Sequence, residues 1–253
     1  MKKHIKSLVA MSSLLTGALS AYEVHSEQRQ TDYNLNVKLA SQYIFRGIAQ
    51  SDGEPVIQGD FSLFTPVNIY AGLWASNVKK PWGGVYNKVG GDEDFEYDLY
   101  IGYLGSIPSK TGGPDFKYDI GLIRYGFEDD PDDLTWSEAY IGVSQSGFSA
   151  KYSTRIAGAK MGQYVEARFN GSVKNLFKYS IHAGHYFLDQ RLRGFDDYSD
   201  FSIGITKTYK EFDFNLTFFQ NDEDGEGRYL DVADNRFVFA VSRNFNLNRT
   251  LNQ

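Results

Sequence analysis

Apolar and polar residues alternate with period two from Thr31 onward, the alternating runs number twelve, and the connections between them are by turns short and long. Together these observations predict an all-β fold: a single antiparallel transmembrane β-barrel of about 12 strands, of the outer-membrane type. A β-sandwich would give the same alternation. What decides against it is the even count, the sorting of connection lengths and the gathering of tyrosine and phenylalanine at the ends of the runs. Those features suit a barrel whose rings sit at the lipid–water boundary.

The N-terminus reads "MKKHIKSLVAMSSLLTGALSAYE": lysines, then the apolar stretch Leu8 to Leu15, then small residues. Residues 1–20 are therefore expected to be a secretory signal peptide, cleaved after Ser20 or Ala21. Residues 21–31 are expected to be a short periplasmic segment, 32–245 the barrel and 246–253 a polar tail. No Pro- or Ser-rich linker divides the chain. The absence of cysteine leaves no lipid-attachment site. Mean hydropathy is −0.42, and no run of about 18 apolar residues could form a spanning helix. Cleavage would remove Lys2, Lys3 and Lys6 and no acid, leaving 23 basic against 32 acidic residues. That balance excludes nucleic acid as a partner, since its binding needs clustered Lys and Arg.

The strand-like runs are 32–46, 55–65, 68–78, 95–105, 115–127, 134–145, 147–157, 162–171, 176–187, 198–208, 211–221 and 235–245. In the first, Leu35, Val37, Leu39, Tyr43 and Phe45 share the face expected toward lipid, and Asn36, Lys38, Gln42 and Arg46 share the other. The run 95–105 sets Phe95, Tyr97, Leu99, Ile101 and Tyr103 against Glu96, Asp98, Tyr100 and Gly102. The run 198–208 sets Phe201, Ile203 and Ile205 against Asp200, Ser202, Gly204 and Thr206. In 211–221, Phe212, Phe214, Leu216 and Phe218 oppose Asp213, Asn215 and Thr217. The run 68–78 is ambiguous, because Ile69, Ala71 and Leu73 alternate with Tyr70, Gly72 and Trp74. With a periplasmic N-terminus, the outer loops would be 47–54, 79–94, 128–133, 158–161, 188–197 and 222–234, and the short turns would lie inside. The closing run "RFVFAVSRNF" carries Phe237, Phe239, Val241 and Phe245 on one face and ends on an aromatic, like the C-terminal signal that barrel-assembly machinery reads. Arg243 in an apolar position and the trailing "NLNRTLNQ" depart from that pattern.

The segments "LASQYIFRGIAQSDGEPVIQGDFSL", "IYAGLWASNV", "FEYDLYIGYLG", "YDIGLIRYGF", "EAYIGVSQSGFSAKYS" and "DYSDFSIGITK" resemble a proteobacterial family of outer-membrane proteins often labelled TorF and classed as porins by inference. The likeness runs from about residue 32 to Phe245 and is strongest in the "FRGIAQSD" hairpin and "WASNV". It implies a fold and a compartment, and carries no established binding residues.

Strand parity turns a set of charges inward: Asp60, Glu96, Asp98, Asp119, Glu138, Glu166, Asp200 and Asp213, with Lys38, Arg46, Lys117, Lys151, Arg155, Arg168 and Lys178. Of these, Lys38, Arg46, Asp60, Glu96, Asp98, Asp119, Glu138, Glu166, Arg168 and Asp200 are the pore-lining candidates. They would either set the field of a wet pore or pair across the lumen and fill it. The outer segments "FEDDPDDL" and "NDEDGEGRYLDVADN" are acidic, but without the ligand spacing of a calcium loop. His182 and His185 have opposite parity, so they form no zinc pair, and His182 is read as a lumen residue of no special role. No outward Ser and acid flank His185 in a hydrolase pattern. The function expected is passive diffusion of small hydrophilic solutes or ions across the Gram-negative outer membrane, with a weak preference for cations. No cofactor, metal or bond chemistry is expected, and monomer and trimer both stay open. The alternatives are a non-conducting barrel acting through its outer loops and a lipid-modifying barrel enzyme.

Overall fold

A run with Val, Ile, Phe, Tyr or Thr at every second position has no helical stripe to bury, but it covers one face of a pleated ribbon. The computed structural model describes residues 30–79, 93–128, 135–174, 176–188, 197–224 and 233–248. These form β1 (Asp32–Ala40), β2 (Ile44–Phe45), β3 (Ile48–Ala49), β4 (Val56–Phe64), β5 (Ile69–Lys79), β6 (Glu93–Ile107) and β7 (Phe116–Phe127). They continue as β8 (Trp136–Gln145), β9 (Phe148–Gly158), β10 (Gln163–Val173), β11 (Phe177–Phe187), β12 (Tyr198–Tyr209), β13 (Phe212–Asn221) and β14 (Arg236–Asn246). β1 and β4 to β14 close a twelve-stranded antiparallel barrel, with β1 paired to both β4 and β14. Closure leaves no unpaired sheet edge, which is the condition for a sheet to lie in hydrocarbon. Residues 1–20, expected to be a signal peptide, lie outside the described residues, as do most of the two acidic segments expected in outer loops.

Side-chain parity sorts the two faces. Leu99 is 50% exposed while its neighbour Asp98 is 0% exposed. Around the barrel, Leu39, Ile57, Ile120, Ile141, Ile181, Ile203 and Phe239 are exposed outside. β5 settles its own ambiguity: Ile69 and Leu73 point out, Tyr70 and Trp74 in. Inward rings fit because glycines on neighbouring strands make room. Tyr70 covers Gly102 and Tyr100 covers Gly72, and a Cβ on either glycine would collide with the ring. An arginine on the lipid face costs about 2–4 kcal/mol at mid-membrane and little near the interface. Arg243 sits near the short-turn end of β14, where it pairs with Glu211 and lies over the Phe212 and Phe245 rings.

One boundary departs from the alternation. β1 stops at Ala40 rather than running to Arg46, and the connection 41–55 turns into the barrel. Tyr43 and Phe45, expected toward lipid, are inside it. The alternation of "YIFRGIAQ" belongs to a small inner hairpin, β2 paired with β3, and does not extend the wall.

Candidate functional site

The inner hairpin pairs Ile44 with Ala49 and Phe45 with Ile48, leaving Arg46 and Gly47 as its two-residue turn. Both have positive φ, 48° and 82°, the pattern of a type I′ turn that normally takes Asn-Gly. A left-handed non-glycine residue costs about 1–2 kcal/mol, a strain that the contacts of this arginine must offset. Gly47 admits no substitute, because a Cβ would strike the Asn221 side chain and Cβ of Asp200. Asn221 Nδ2 donates to the carbonyls of Gly47 (3.0 Å) and Ala233 (2.7 Å), and Tyr198 Oη donates to Arg46 O (2.9 Å). The base of the connection is tied as well. Lys79 N donates to Gln50 O (2.9 Å), Gln50 N to Tyr43 O (2.7 Å), and Tyr43 N to Ser51 Oγ (3.1 Å).

Apolar packing carries the hairpin across the lumen. Tyr43 meets Trp74 on β5 at 5.2 Å between centroids, and Phe45 meets Tyr125 on β7 at 5.6 Å. Ile48 packs on the far side with Tyr164, Tyr186, Tyr198 and Ala233. At the centre, Arg46 Nη1 and Nη2 donate to Glu138 Oε1 (3.0 Å) and Oε2 (2.6 Å). Glu138 also accepts from Trp136 Nε1 (3.1 Å) and Tyr125 Oη (3.5 Å). The guanidinium carbon stands 4.6, 4.8 and 5.0 Å from the Tyr164, Phe45 and Tyr186 ring centroids. Glu138 is aimed by an irregularity of register, since β9 carries one extra residue, Ile156, opposite Ser137 and Glu138. Removing one partner of such a buried pair costs about 3–5 kcal/mol, because the other charge is left uncompensated.

The remaining inward charges fall into groups. Tyrosines cover two acids: Tyr100 Oη donates to Asp60 Oδ2 (2.7 Å) and Tyr70 Oη to Asp119 Oδ1 (2.7 Å), while Tyr70 also contacts Tyr140 Oη. Four strands from β9 to β12 carry a ladder. Lys151 Nζ is 2.6 Å from Glu166 Oε1, and Arg168 Nη2 is 3.8 Å from Glu166 Oε2. His182, with no special role expected, bridges Glu166 (3.2 Å) and Asp200 (3.4 Å), and Tyr164 Oη donates to Asp200 Oδ2 (2.7 Å). Glu96 is buried near Tyr43, and Asp98 is fully buried with neither carboxylate oxygen hydrogen-bonded among the described residues. Lys38 lies half-buried on β1 with no ion-pair partner among the described residues. Toward the other ends, Asp213 accepts from Thr208 Oγ1 (2.5 Å), and Arg155 donates to the carbonyls of Gly158 and Ala159. Lys117 and Lys178 are half-buried near the short-turn end. Arg46 faces inward from the hairpin, and not from a wall strand as parity suggested.

On the outer surface Ser199 Oγ lies 3.0 Å from His185 Nδ1, a neighbour that sequence reading missed. Asp222 accepts the backbone N–H of Ser199 (2.7 Å). Sequence reading also missed the aromatic walls, Trp74, Tyr125, Trp136, Tyr164, Tyr186 and Tyr198. The signal available was the apolar "IFRGIA" interrupting what should be a solvated loop.

Residues 26–245 match a family described as "Bacterial protein of unknown function (Gcw_chp)". The chain belongs to the Gcw_chp family. No curated protein matches it in sequence. Among solved structures it is similar to the KdgM porin, at TM-score 0.51 and 6% identity, over 84% of this chain and 98% of that one. It is similar also to KdgM porin in complex with disordered oligogalacturonate, at TM-score 0.52 and 6% identity, over 85% and 99% of the two chains. Outer membrane phospholipase A from Escherichia coli matches at TM-score 0.43 and 9% identity over 85% and 91%, too loosely to bear on function. At these identities the KdgM likeness is one of fold. This Gcw_chp chain has the twelve-stranded barrel of outer-membrane proteins.

Proposed function

We propose that the protein is a porin-like channel of the outer membrane, exported on its signal peptide, for passive diffusion of small hydrophilic solutes or ions. The observation that carries this reading is the sorting of faces: an apolar, lipid-like exterior around an interior lined with Asp60, Glu96, Asp98, Glu138 and Glu166. Burying so many charges is costly unless they are paired or serve a polar path. The KdgM porin and the TorF-like segments support the same reading. The connection 41–55 forms the constriction, and the excess of acids about it gives a weak preference for cations.

Bilayer recordings of the refolded protein test this. Conductance should rise in steps, with a reversal potential on the cation side at low salt. That preference should fade as salt shortens the Debye length from about 10 Å at 0.1 M. Glu96 and Asp98 lie two residues apart on the inner face of β6, about 7 Å along the strand, so replacing them with Gln and Asn should shift the reversal potential toward the anion side. An unchanged potential would make them structural groups. A second reading, a non-conducting barrel that works through its outer loops, is favoured by the packing of Tyr43, Phe45 and Ile48 across the lumen. Absence of conductance both in the wild type and after deletion of residues 44–50 would select it.

A further inference from the structure

We propose that the wall around Glu138 is a binding subsite for the guanidinium or ammonium group of a small organic cation, and that Arg46 occupies it as a tethered ligand. The inference deepens the channel reading and rests on it, since the solute would arrive through the lumen.

The site has the parts that recognise such a cation. A buried carboxylate accepts two parallel N–H bonds from the Arg46 guanidinium. Aromatic faces surround the same group at 4.6 to 5.0 Å, within cation–π range. Glu138, Trp136, Tyr125, Tyr164 and Tyr186 belong to β8, β7, β10 and β11. Of the groups against the guanidinium, Phe45 alone travels with the hairpin, so the rest of the site stays when the hairpin moves.

Arg46 reaches the site from a strained left-handed backbone, φ 48°, and apart from the Phe45 ring the groups described against its charge belong to the wall. The wall also holds a second carboxyl group, close enough to Glu138 to interact with it. Asp98 stands opposite Tyr125 on the neighbouring strand, with 0% exposure and no hydrogen bond to either oxygen among the described residues. A neutral polar solute could take the two hydrogen bonds but would leave the Glu138 carboxylate uncompensated. The planar, forked guanidinium satisfies both oxygens of Glu138 and stacks on the rings, and an ammonium takes the charge without the fork.

The probe is N-methylguanidine, with N-methylurea as a neutral control of the same shape. In the refolded full-length Arg46→Ala variant in detergent, tryptophan fluorescence should change saturably with methylguanidine, because Trp136 donates to the same carboxylate. Methylurea should have no effect. The double variant Arg46→Ala, Glu138→Gln should bind at least tenfold more weakly, and the wild type, with its site filled, should need a higher concentration than Arg46→Ala. Heat-modifiable gel migration reports whether each variant is folded, and Arg46→Gln replaces Arg46→Ala if the latter does not fold. In bilayers, methylguanidine should raise wild-type conductance by displacing Arg46. Equal responses to both probes, binding that survives Glu138→Gln, or no response in either assay would overturn the subsite. Binding without any conductance would overturn the channel and leave the subsite standing, whereas conductance without binding would overturn the subsite alone.

Discussion

Two adjacent residues, Arg46 and Gly47, decide how the lumen is filled. The arginine supplies the charge that meets Glu138, and the glycine lets the backbone pass against Asp200 and Asn221. Substituting Gly47 by alanine should cost about 1–2 kcal/mol from the left-handed backbone alone, before any collision. Since 1.4 kcal/mol is a factor of about ten in an equilibrium, Gly47→Ala should move the hairpin out of the lumen in a measurable fraction of molecules. The expected outcome is higher single-channel conductance and more frequent switching, with the barrel still folded by gel migration. Unchanged conductance would mean that the hairpin does not limit the path. Parity reads the direction of Asp60, Asp119 or Glu166 from sequence because a pleated wall has only two sides. It fails for Tyr43 and Phe45 because those residues have left the wall. Their burial depends on rings contributed by β5, β7 and β8, 31 to 91 positions away along the chain, which no local pattern carries.

At the scale of elements, boundaries were legible wherever a turn was short. β8 and β9 are joined by Ser146 and Gly147, both at positive φ, and the expected break at Ser146 falls on that turn. The end of β1 was not legible, since Ala40 is followed by more alternation and the wall stops where Ser41 pairs back to Phe239. The closing strand poses the opposite question, how much of the C-terminus matters. β14 runs to Asn246, with Phe245 facing Leu35 across the seam and stacked under Arg243. Beyond it, Asn248 Nδ2 donates to Thr31 O (2.7 Å), and Asn248 Oδ1 accepts from Tyr33 N (2.9 Å), tying the tail to the first strand. Phe245→Ala should lower outer-membrane yield severalfold, measured by heat-modifiable band intensity in membrane fractions. Removing residues 249–253 should leave yield near wild type. The reverse ranking would place the assembly signal outside β14.

The barrel as a whole obeys a rule that its parts do not show separately: an apolar belt on one face runs around the closed sheet, and most of the charge in the strands lies on the other. Leu39, Leu99, Ile141 and Ile203 lie on β1, β6, β8 and β12, spread around the closed sheet, and each is about half exposed. A surface this apolar on all sides has no core to join within one copy of the chain, so lipid is the partner we propose for it. Spin labels at these four positions in the protein reconstituted in liposomes should relax faster with oxygen, which partitions into lipid, than with a water-soluble nickel chelate. Labels at Asn36 and Ser202, on the inner face of β1 and β12, should show the opposite order or protection from both. The two sets differ by a single step of parity, so a wrong register would invert the whole pattern and not blur it. If instead the outer labels respond to nickel all around the barrel, the apolar face is not in the bilayer. The protein would then have to bury that face against other copies of itself, and the outer-membrane channel would fall with it.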